Sequence, residues 1–266
     1  MCVIAYKPLN VEFPSDTILK NCFENNPDGA GFMYAYQGQV FIQKGYKTWQ
    51  SFIKALNKAR KLTGNNVPYV MHFRIATQGF DTTMTHPFPL SSNMEKLKEL
   101  KTVTNIGVAH NGVLSLTSDG AKTYSDTMKF ITDYLSLIIR KYSWYKDKKT
   151  KLLIERLIEG SRLAILDKDN HCELLGKTWV EDNGIWYSNN SYSYKKLPVI
   201  EWDCDDYDYL SSYHYFDPYK KYYNKKKKCY DFSEMNCPVM MEDDDSYCCE
   251  CSHCKLCSYY QAVVNG

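Results

Sequence analysis

The feature that most constrains this chain is a cysteine at position 2, directly before a short apolar segment. The segment from Cys2 to Tyr6 is typical of a buried strand, which would begin at the cysteine itself. The initiator methionine is normally removed before a residue as small as cysteine, and its removal would leave Cys2 with a free α-amine beside its thiol. A thiol with a pKa of about 8.5 reacts as the thiolate, and an α-amine with a pKa of about 7.7–8.0 can accept its proton. The sequence therefore predicts a nucleophile at the start of the first strand; a chance cysteine at this position is the simpler alternative.

Helix and strand patterns follow one another in blocks along the first 190 residues, and regular βαβ units are not apparent. Ser15 or Asp16, Thr48 and Ser125 are suited to cap helices. Two apolar segments on either side of Gln37-Gly38 predict a β-hairpin. Further strands are predicted over residues 67–77, 102–110, 163–166, 173–175 and 184–187, and a further helix over 152–158. This order favours antiparallel sheets covered by helices over a doubly wound nucleotide-binding fold.

The distribution of charge divides the chain near Trp202. From Glu201 onward there are 13 acidic and 7 basic residues, which leaves a net charge of +8 on the first 200 residues. We expect one domain over residues 1–200, an acidic, tyrosine-rich linker over 201–228, and a cysteine-rich tail over 229–266. No segment has the apolar length of a signal peptide or a membrane span, so we expect a cytoplasmic protein. The abundance of Lys, Asn and Tyr is compatible with a viral source, in which case the compartment is the host cytoplasm.

Polar motifs lie where the predicted strands give way to loops, which is where catalytic residues tend to collect. In chain order they are residues 26–31 (NPDGAG), 72–79 (HFRIATQG), 85–87 (THP), 109–112 (AHNG) and 125–127 (SDT). Together with Cys2, this order resembles the class II glutamine amidotransferases, a branch of the N-terminal-nucleophile hydrolases, and is most similar to their stand-alone, single-domain members. The resemblance covers about residues 2–190. It implies an α+β fold in which two sheets lie between two layers of helices, a four-layer αββα sandwich.

The resemblance implies three catalytic residues. Cys2 would attack the side-chain amide of glutamine, giving a γ-glutamyl thioester and ammonia, with its own α-amine as the general base. The side-chain amide of Asn111 and the backbone N–H of Gly112 would form the oxyanion hole. No chemistry follows for His72 and His110, which we interpret as structural.

Four further residues would bind the substrate. Arg74 would hold its α-carboxylate with two parallel hydrogen bonds, and Asp126 would pair with its α-ammonium group. Thr77 and His86 would line the same pocket. Without the resemblance, Arg74 is better explained as an ion-pair partner within the protein, and Asp126 as an acid favoured by the dipole at a helix start.

For the whole chain we therefore predict a glutaminase-type cysteine amidohydrolase. No phosphosugar- or phosphoribosyl-binding domain follows the first 200 residues, so we expect ammonia to pass to a separate synthase. Val3 and Gln78 differ from the residues that the sugar- and purine-pathway enzymes have at these positions. Two alternatives remain: hydrolysis of a γ-glutamyl amide of a larger conjugate, and a non-catalytic module that binds zinc or nucleic acid. For the enzyme, neither nucleic acid nor a membrane is expected as a partner.

Seven of the eleven cysteines lie in the tail. The candidate metal ligands are Cys229, Cys237, Cys248, Cys251, Cys254 and Cys257. Clustering at two-residue intervals without a signal peptide favours metal binding over disulfides. Since four thiols so close in sequence do not easily surround one tetrahedral ion, we predict that the first two join two of the last four around zinc. An iron–sulfur cluster and metal-free cysteines are the alternatives, and no cofactor is expected for catalysis.

Overall fold

A computed structural model describes residues 2–75, 81–114, 124–140 and 143–193, together with the backbone of two short strands, Tyr223–Asn224 and Cys229–Tyr230. Contacts divide the chain into two units, Met1–Leu197 and Pro198–Gly266. The two short strands belong to the second unit and pair with each other antiparallel. The other described elements all belong to the first unit.

Two antiparallel sheets form the framework of the first unit. The strands, in chain order, are β1 (Val3–Lys7), β2 (Ala30–Tyr36), β3 (Gln39–Tyr46), β4 (Tyr69–Phe73), β5 (Phe88–Pro89), β6 (Lys101–Thr104), β7 (Ile106–Asn111), β8 (Arg162–Asp167), β9 (Cys172–Leu175), β10 (Val180–Asp182) and β11 (Ile185–Tyr187). The larger sheet has the order β10-β11-β1-β4-β2-β3-β6, and the smaller one β5-β7-β8-β9. All pairings in both sheets are antiparallel.

The strand that follows Cys2 lies in the interior of the larger sheet. In β1, Val3 pairs with Phe73 of β4, and Ala5 pairs with both Met71 of β4 and Tyr187 of β11. Val3, Ile4 and Ala5 are fully buried, because one face of β1 packs on helices and the other faces the smaller sheet. The predicted buried strand at the start of the chain is confirmed.

Helices cover the sheets and begin at the predicted caps. They are α1 (Asp16–Asn25), α2 (Trp49–Thr63), α3 (Met94–Lys98), α4 (Asp126–Phe130), α5 (Ser136–Ile138) and α6 (Lys148–Leu157), with a π-helical segment, Ile131–Leu135, between α4 and α5. Ser15, Thr48 and Ser125 each accept a hydrogen bond from the backbone N–H three residues further along. The cap predictions are therefore confirmed, with Ser15 as the cap of α1.

Three buried apolar clusters make up the core. The first joins one face of the larger sheet to α1 and α2, and the second joins the smaller sheet to α3, α4 and α6. The third contains residues of both sheets, among them Met33 of β2 and Ala109 of β7. A side chain on Gly107 would collide with the sulfur of Met33, so the glycine permits the two sheets to approach closely here. The first unit is thus a mixed α+β structure with two antiparallel sheets.

Some elements differ from the sequence-based prediction. The single strand predicted over residues 102–110 is wrong: β6 and β7 are separate strands on either side of Asn105 and belong to different sheets. The helix predicted over 152–158 begins earlier, at Lys148, because Asp147 caps it by accepting the Lys149 N–H. Helix α3 and strand β10 were not predicted. Within the described residues, no helix combines the length and apolar character needed to cross a membrane.

Candidate active site

Cys2 lies directly before β1, and its thiol contacts the backbone of Ile75. The Ile75 N–H donates to Sγ over 3.4 Å, and Sγ lies 3.6 Å from Ile75 O. Burial raises the pKa of the Cys2 thiol, while the Ile75 N–H and nearby positive charges, that of Arg74 among them, act in the opposite direction. Because the net effect is a raised pKa, the thiol needs a base to become a nucleophilic thiolate. Among the described residues, its hydrogen-bond partners are the two backbone groups of Ile75.

Two residues directly after β11 connect Cys2 to Asn111. The Ser188 hydroxyl accepts the N–H of Ile4 and the side-chain N–H of Asn111, each over 2.8 Å. Asn189 donates its side-chain N–H to the carbonyl oxygen of Cys2 over 2.7 Å. The predicted nucleophile and the predicted oxyanion-hole amide are therefore held by neighbouring residues of one segment.

Asn111 and Gly112 end β7 in a conformation that depends on glycine. Asn111 is buried, and Gly112 has a φ of +143°, which L-residues rarely adopt. A Cβ at Gly112 would also collide with the side chain of Ser161, whose hydroxyl donates to Val113 O over 3.1 Å. The backbone around Gly112 is thus fixed both by its torsion and by a close neighbour.

Arg74 follows β4 and lies next to the residue that contacts the thiol. Its backbone N–H donates to Gly29 O over 2.8 Å, and its carbonyl accepts the Asp28 N–H over 3.0 Å. Its guanidinium donates to Asp81 O over 3.3 Å, and the residue is 8% exposed. The predicted turn at residues 26–31 and the predicted HFR motif therefore meet at Arg74, beside Ile75 and the Cys2 thiol.

A buried lysine supports the turn against which Arg74 rests. Lys44 is almost fully buried and donates to Thr83 O over 2.7 Å and to Leu97 O over 2.6 Å. Burial lowers the pKa of Lys44 to about 6; the Asp81 carboxylate opposes this shift, and Arg74 adds to it. Thr83 belongs to the 3-10 turn that follows Asp81, so the Lys44 amine holds the segment whose carbonyl receives the guanidinium.

Asp126 begins α4 and fastens the chain that follows Gly112. Its Oδ2 accepts the Leu114 N–H over 2.9 Å, and its Oδ1 accepts the Thr127 N–H over 2.6 Å. The carboxylate therefore has a structural role at the helix start. Its predicted pairing with a substrate ammonium group stays a prediction.

Three buried histidines lie close together in the first unit. His72 makes a 3.0 Å hydrogen bond with His110 O, and His110 Nδ1 lies 2.8 Å from Thr127 Oγ1. The ring of His86 is 4.3 Å from that of His72, centroid to centroid, and neither of its nitrogens has a hydrogen-bond partner among the described residues. Burial lowers the pKa of His72 to about 3, that of His110 to about 4 and that of His86 well below its usual value. All three are thus neutral at pH 7, and the predicted contact of His86 with substrate stays a prediction.

The remaining predicted site residues lie outside the part of the chain whose side chains are described. Thr77 is one of them. The others are the six candidate metal ligands, Cys229, Cys237, Cys248, Cys251, Cys254 and Cys257. Within the described ranges, no three His, Cys, Asp or Glu residues are arranged to bind a metal ion. The three cysteines described there, Cys2, Cys22 and Cys172, are free thiols.

Sequence reasoning assigned no role to Ser188, Asn189 or Lys44. The available signal for the first two was their position directly after the apolar segment 185–187, where a strand gives way to a loop. For Lys44 the signal was its place after Val40 and Ile42 in an alternating pattern, which directs position 44 to the same buried face.

No model of a known protein family matches this chain, and no curated protein matches it in sequence. The likeness to class II amidotransferases therefore depends on the order of the motifs.

Proposed function

We propose that this protein is a cysteine amidohydrolase that releases ammonia from glutamine through a γ-glutamyl thioester on Cys2. The observation that carries this proposal is the link from Cys2 to Asn111: the Ser188 hydroxyl binds both Asn111 and Ile4, two residues from the thiol. The thiol lies directly before the strand that Ser188 binds, and the side-chain amide comes from the other sheet. Together they supply a nucleophile and an oxyanion donor.

In the proposed reaction, the α-amine of Cys2 removes the thiol proton, and the thiolate attacks the amide carbon of the glutamine side chain. The amide oxygen becomes an oxyanion, which the side-chain N–H of Asn111 and the backbone N–H of Gly112 stabilise. The C–N bond breaks as the ammonium group of Cys2 returns the proton to the leaving nitrogen, so ammonia departs and a thioester remains. Water, deprotonated by the same amine, then attacks the thioester, releases glutamate and restores the thiol.

The raised pKa of the Cys2 thiol supports an adjacent base in this reaction. Burial keeps the thiol protonated at neutral pH, and an α-amine with a pKa of about 7.7–8.0 is suited to accept its proton. The histidines do not take this role in the proposal, since His72 and His110 are engaged with a backbone carbonyl and a hydroxyl.

Substrate recognition in this proposal uses charge at both ends of the amino acid. Arg74 binds the α-carboxylate and Asp126 the α-ammonium, while Thr77 and His86 line the pocket. The position of Arg74 next to Ile75, which contacts the thiol, supports the first assignment. A guanidinium suits a carboxylate because its N–H groups form two parallel hydrogen bonds.

The fold proposed for the first unit is the four-layer αββα sandwich of the N-terminal-nucleophile hydrolases. The three core clusters support the order helix, sheet, sheet, helix, because one cluster contains both sheets and each of the others joins one sheet to helices.

For the second unit we propose a zinc-binding tail that takes no part in hydrolysis, held by Cys229, Cys237 and two of the four later cysteines. We further propose a cytoplasmic location, where cysteines stay reduced, and a separate synthase as the acceptor of ammonia. The spacing of the tail cysteines supports the zinc proposal.

The test is ammonia release from glutamine by the parent and by Cys2→Ala, with Cys172→Ala as the control because that thiol, like Cys2, is free and partly buried in the same unit. Intact mass identifies the first residue of each sample. We expect turnover by the parent without Met1, no turnover by Cys2→Ala, and parent-like turnover by Cys172→Ala. Full activity in protein that retains Met1 would exclude the α-amine as the base.

Hydrolysis of γ-glutamyl-p-nitroanilide in the same samples separates the other possibilities. If the parent cleaves the anilide through Cys2 and leaves glutamine intact, the substrate is a larger γ-glutamyl conjugate. If it cleaves neither compound after Met1 removal, the proposal of an amidohydrolase is wrong, and a binding module becomes the better explanation.

A further inference from the structure

The segment after β11 continues alongside β1 to the position of the thiol. After the pair Ala5 and Tyr187, Ser188 N–H donates to Ile4 O over 3.0 Å, and Ile4 N–H donates back to the Ser188 hydroxyl over 2.8 Å. Ser188 is fully buried, so this exchange is shielded from water. The pairing of this segment with β1 therefore extends to Ile4, and the Ser188 hydroxyl takes the place of a backbone acceptor in one of the hydrogen bonds.

The Ser188 hydroxyl also determines the orientation of the Asn111 side chain. A hydroxyl oxygen has two acceptor positions, and here they receive Ile4 N–H and Asn111 Nδ2–H, each over 2.8 Å. A primary amide has two N–H groups in one plane. Because Ser188 binds one of them, the plane of the amide is fixed, and the direction of the second N–H is fixed with it.

Asn189 holds Cys2 by a group that does not take part in the reaction. Its side-chain N–H donates to the Cys2 carbonyl over 2.7 Å, and its side-chain oxygen accepts the Ser191 N–H over 2.9 Å. The thiol must leave its contact with Ile75 to attack a substrate, whereas the carbonyl contact can persist. Since the carbonyl and the α-amine share one Cα atom, holding the carbonyl limits the directions that the amine can take.

We propose that Ser188 and Asn189 are positioning residues, Ser188 for the oxyanion amide of Asn111 and Asn189 for the nucleophile and base of Cys2. This inference rests on the proposed function. In this proposal, two neighbouring residues orient the reacting groups: Ser188 binds Asn111, 77 positions away, and Asn189 binds Cys2, 187 positions away. Neither residue contacts the reacting atoms in this scheme, so their effects pass through Asn111 and Cys2.

The first test compares Ser188→Ala with Ser193→Ala, an exposed serine whose hydroxyl donates to Asn190 O within its own turn. Ser188→Ala should lower kcat for glutamine by about 10- to 100-fold, less than the roughly 100- to 1,000-fold loss expected on removing an oxyanion donor. KM should change by less than about twofold, since binding of the amino-acid head group is unaffected. Ser193→Ala should behave like the parent. A kcat for Ser188→Ala within twofold of the parent would overturn the role of Ser188.

A double-mutant cycle distinguishes positioning from general destabilisation. If Ser188 acts through Asn111, Ser188→Ala should cost nothing further in an Asn111→Ala background, because the amide it orients is already gone. Losses that multiply in the double variant would show that Ser188 acts independently of Asn111. If Ser188→Ala does not fold, Ser188→Cys supplies the same comparison, because a thiol fills the space but is a weak acceptor.

A measurement that needs no activity separates this inference from the proposed function. With ¹⁵N-labelled asparagine, side-chain amide hydrogens of Asn111 should exchange slowly in the parent and at least tenfold faster in Ser188→Ala, while Ser193→Ala exchanges like the parent. Unchanged exchange in folded Ser188→Ala would overturn the orientation of Asn111 by Ser188. If the parent releases no ammonia but the exchange changes as expected, the orientation of Asn111 stands and the proposed function fails.

The second test addresses Asn189 by single-turnover kinetics with γ-glutamyl-p-nitroanilide or, if that is not cleaved, glutamine. Asn189→Ala should slow formation of the thioester by about tenfold, because a nucleophile less well oriented reaches its attack geometry less often. The matched control is Asn190→Ala, an exposed asparagine at the next position. Acylation of folded Asn189→Ala at the parent rate would exclude the role of Asn189 and leave that of Ser188 standing.

Discussion

At the scale of single residues, one substitution separates two roles of Arg74: the proposed binding of the substrate carboxylate and hydrogen bonding to Asp81 O. Arg74→Lys keeps the charge but cannot make two parallel hydrogen bonds to a carboxylate. Since charge-assisted hydrogen bonds contribute about 1.5–3 kcal/mol each, we expect KM for glutamine to rise by about 10- to 100-fold with a much smaller change in kcat. Steady-state ammonia release gives both constants.

The control for this substitution is Arg60→Lys, which alters an arginine paired with Asp16 at 3.3 Å on the surface. Its KM should equal that of the parent. If Arg74→Lys also retains the parent KM, the guanidinium serves contacts within the protein, that with Asp81 O among them, and the assignment of the carboxylate site is wrong.

Lys44 makes the stability of the folded state depend on pH. Its pKa is about 6 when folded and about 10.4 in the unfolded chain. Between these values the unfolded chain binds a proton that the folded one does not, so stability rises with pH. Lys44→Met removes this pH-dependent contribution to the free energy of unfolding. The free energy of unfolding of the parent relative to Lys44→Met should therefore increase from pH 7 to pH 9 by up to about 1.4 kcal/mol per pH unit.

Urea unfolding at several pH values measures this difference, with Lys47→Met, an exposed lysine, as the control. The parent and Lys47→Met should give parallel curves. A pH-independent difference between the parent and Lys44→Met would mean that the Lys44 amine is charged when folded.

Single residues were predicted from the sequence where their chemistry is local, and missed where it depends on distant partners. The side chain of Ser15 is satisfied three residues away, so its cap role could be predicted. The partners of Ser188 lie 77 and 184 positions away, and nothing near Ser188 in sequence indicates them. At position 44 the strand pattern indicated burial, whereas a lysine side chain favours water; two backbone carbonyls as acceptors account for its burial.

At the scale of elements, the end of β7 determines where the proposed oxyanion donors lie. Gly112→Ala combines an unfavourable φ, which costs about 1–3 kcal/mol, with a collision against Ser161. We expect the free energy of unfolding to fall by at least about 2 kcal/mol and turnover of glutamine to fall with it, because the backbone N–H of residue 112 moves. Thermal or urea unfolding and ammonia release provide the measurements.

The matched control is Gly160→Ala. Gly160 also has a positive φ, of +75°, but a Cβ there meets no atom within 4 Å. Its destabilisation should be about 1–2 kcal/mol, with turnover unchanged. Equal losses of stability and activity in both variants would show that the fit against Ser161 does not matter.

The limits of prediction at this scale are clearest at Asn105. Residues on both sides of it favour strands, and local propensity has no information on which sheet a strand joins. Strand β6 forms the half-exposed edge of the larger sheet beside β3, whereas every residue of β7 is buried beside β8. Pairing with distant strands separates β6 from β7. Because the prediction used only local sequence, it gave one strand.

For the whole molecule, the alternation of helix and strand patterns predicted the class of fold. An α+β structure with antiparallel sheets follows from the alternation of elements, and it is confirmed. The placement of β1 between β4 and β11 could not be derived from local patterns, because Ala5 of β1 pairs with Met71 and Tyr187, which lie 66 and 182 positions away in the sequence. That placement brings Ser188 and Asn189 to the start of the chain.

The two units of the chain should be separable in function. Deletion of residues 203–266 should leave glutamine turnover within about twofold of the parent, because all described residues of the proposed site lie before this point. Elemental analysis of protein purified under reducing conditions should give about one zinc per full chain and none after the deletion, since the ligands would be thiolates of the tail.

A full-length variant with serine at Cys248, Cys251, Cys254 and Cys257 is the control that separates loss of metal from loss of chain. It should lack zinc and retain turnover. Absence of metal from the parent would reject the zinc proposal, and loss of turnover in the deletion alone would mean that tail residues other than these cysteines support the site.

The pairing of β1 with β11 also sets an order of events during synthesis. The residues of β1 leave the ribosome first, whereas those of β11 follow about 180 positions later, which at 5–20 residues per second is an interval of about 10–40 s. Throughout that interval the start of the chain lacks one of its two strand neighbours and the side chain that will hold the Cys2 carbonyl. Under the proposed function, Met1 would be removed within this interval, before Asn189 holds the Cys2 carbonyl. The contacts of Cys2 and β1 with the segment after β11 form only when nearly the whole unit has been made.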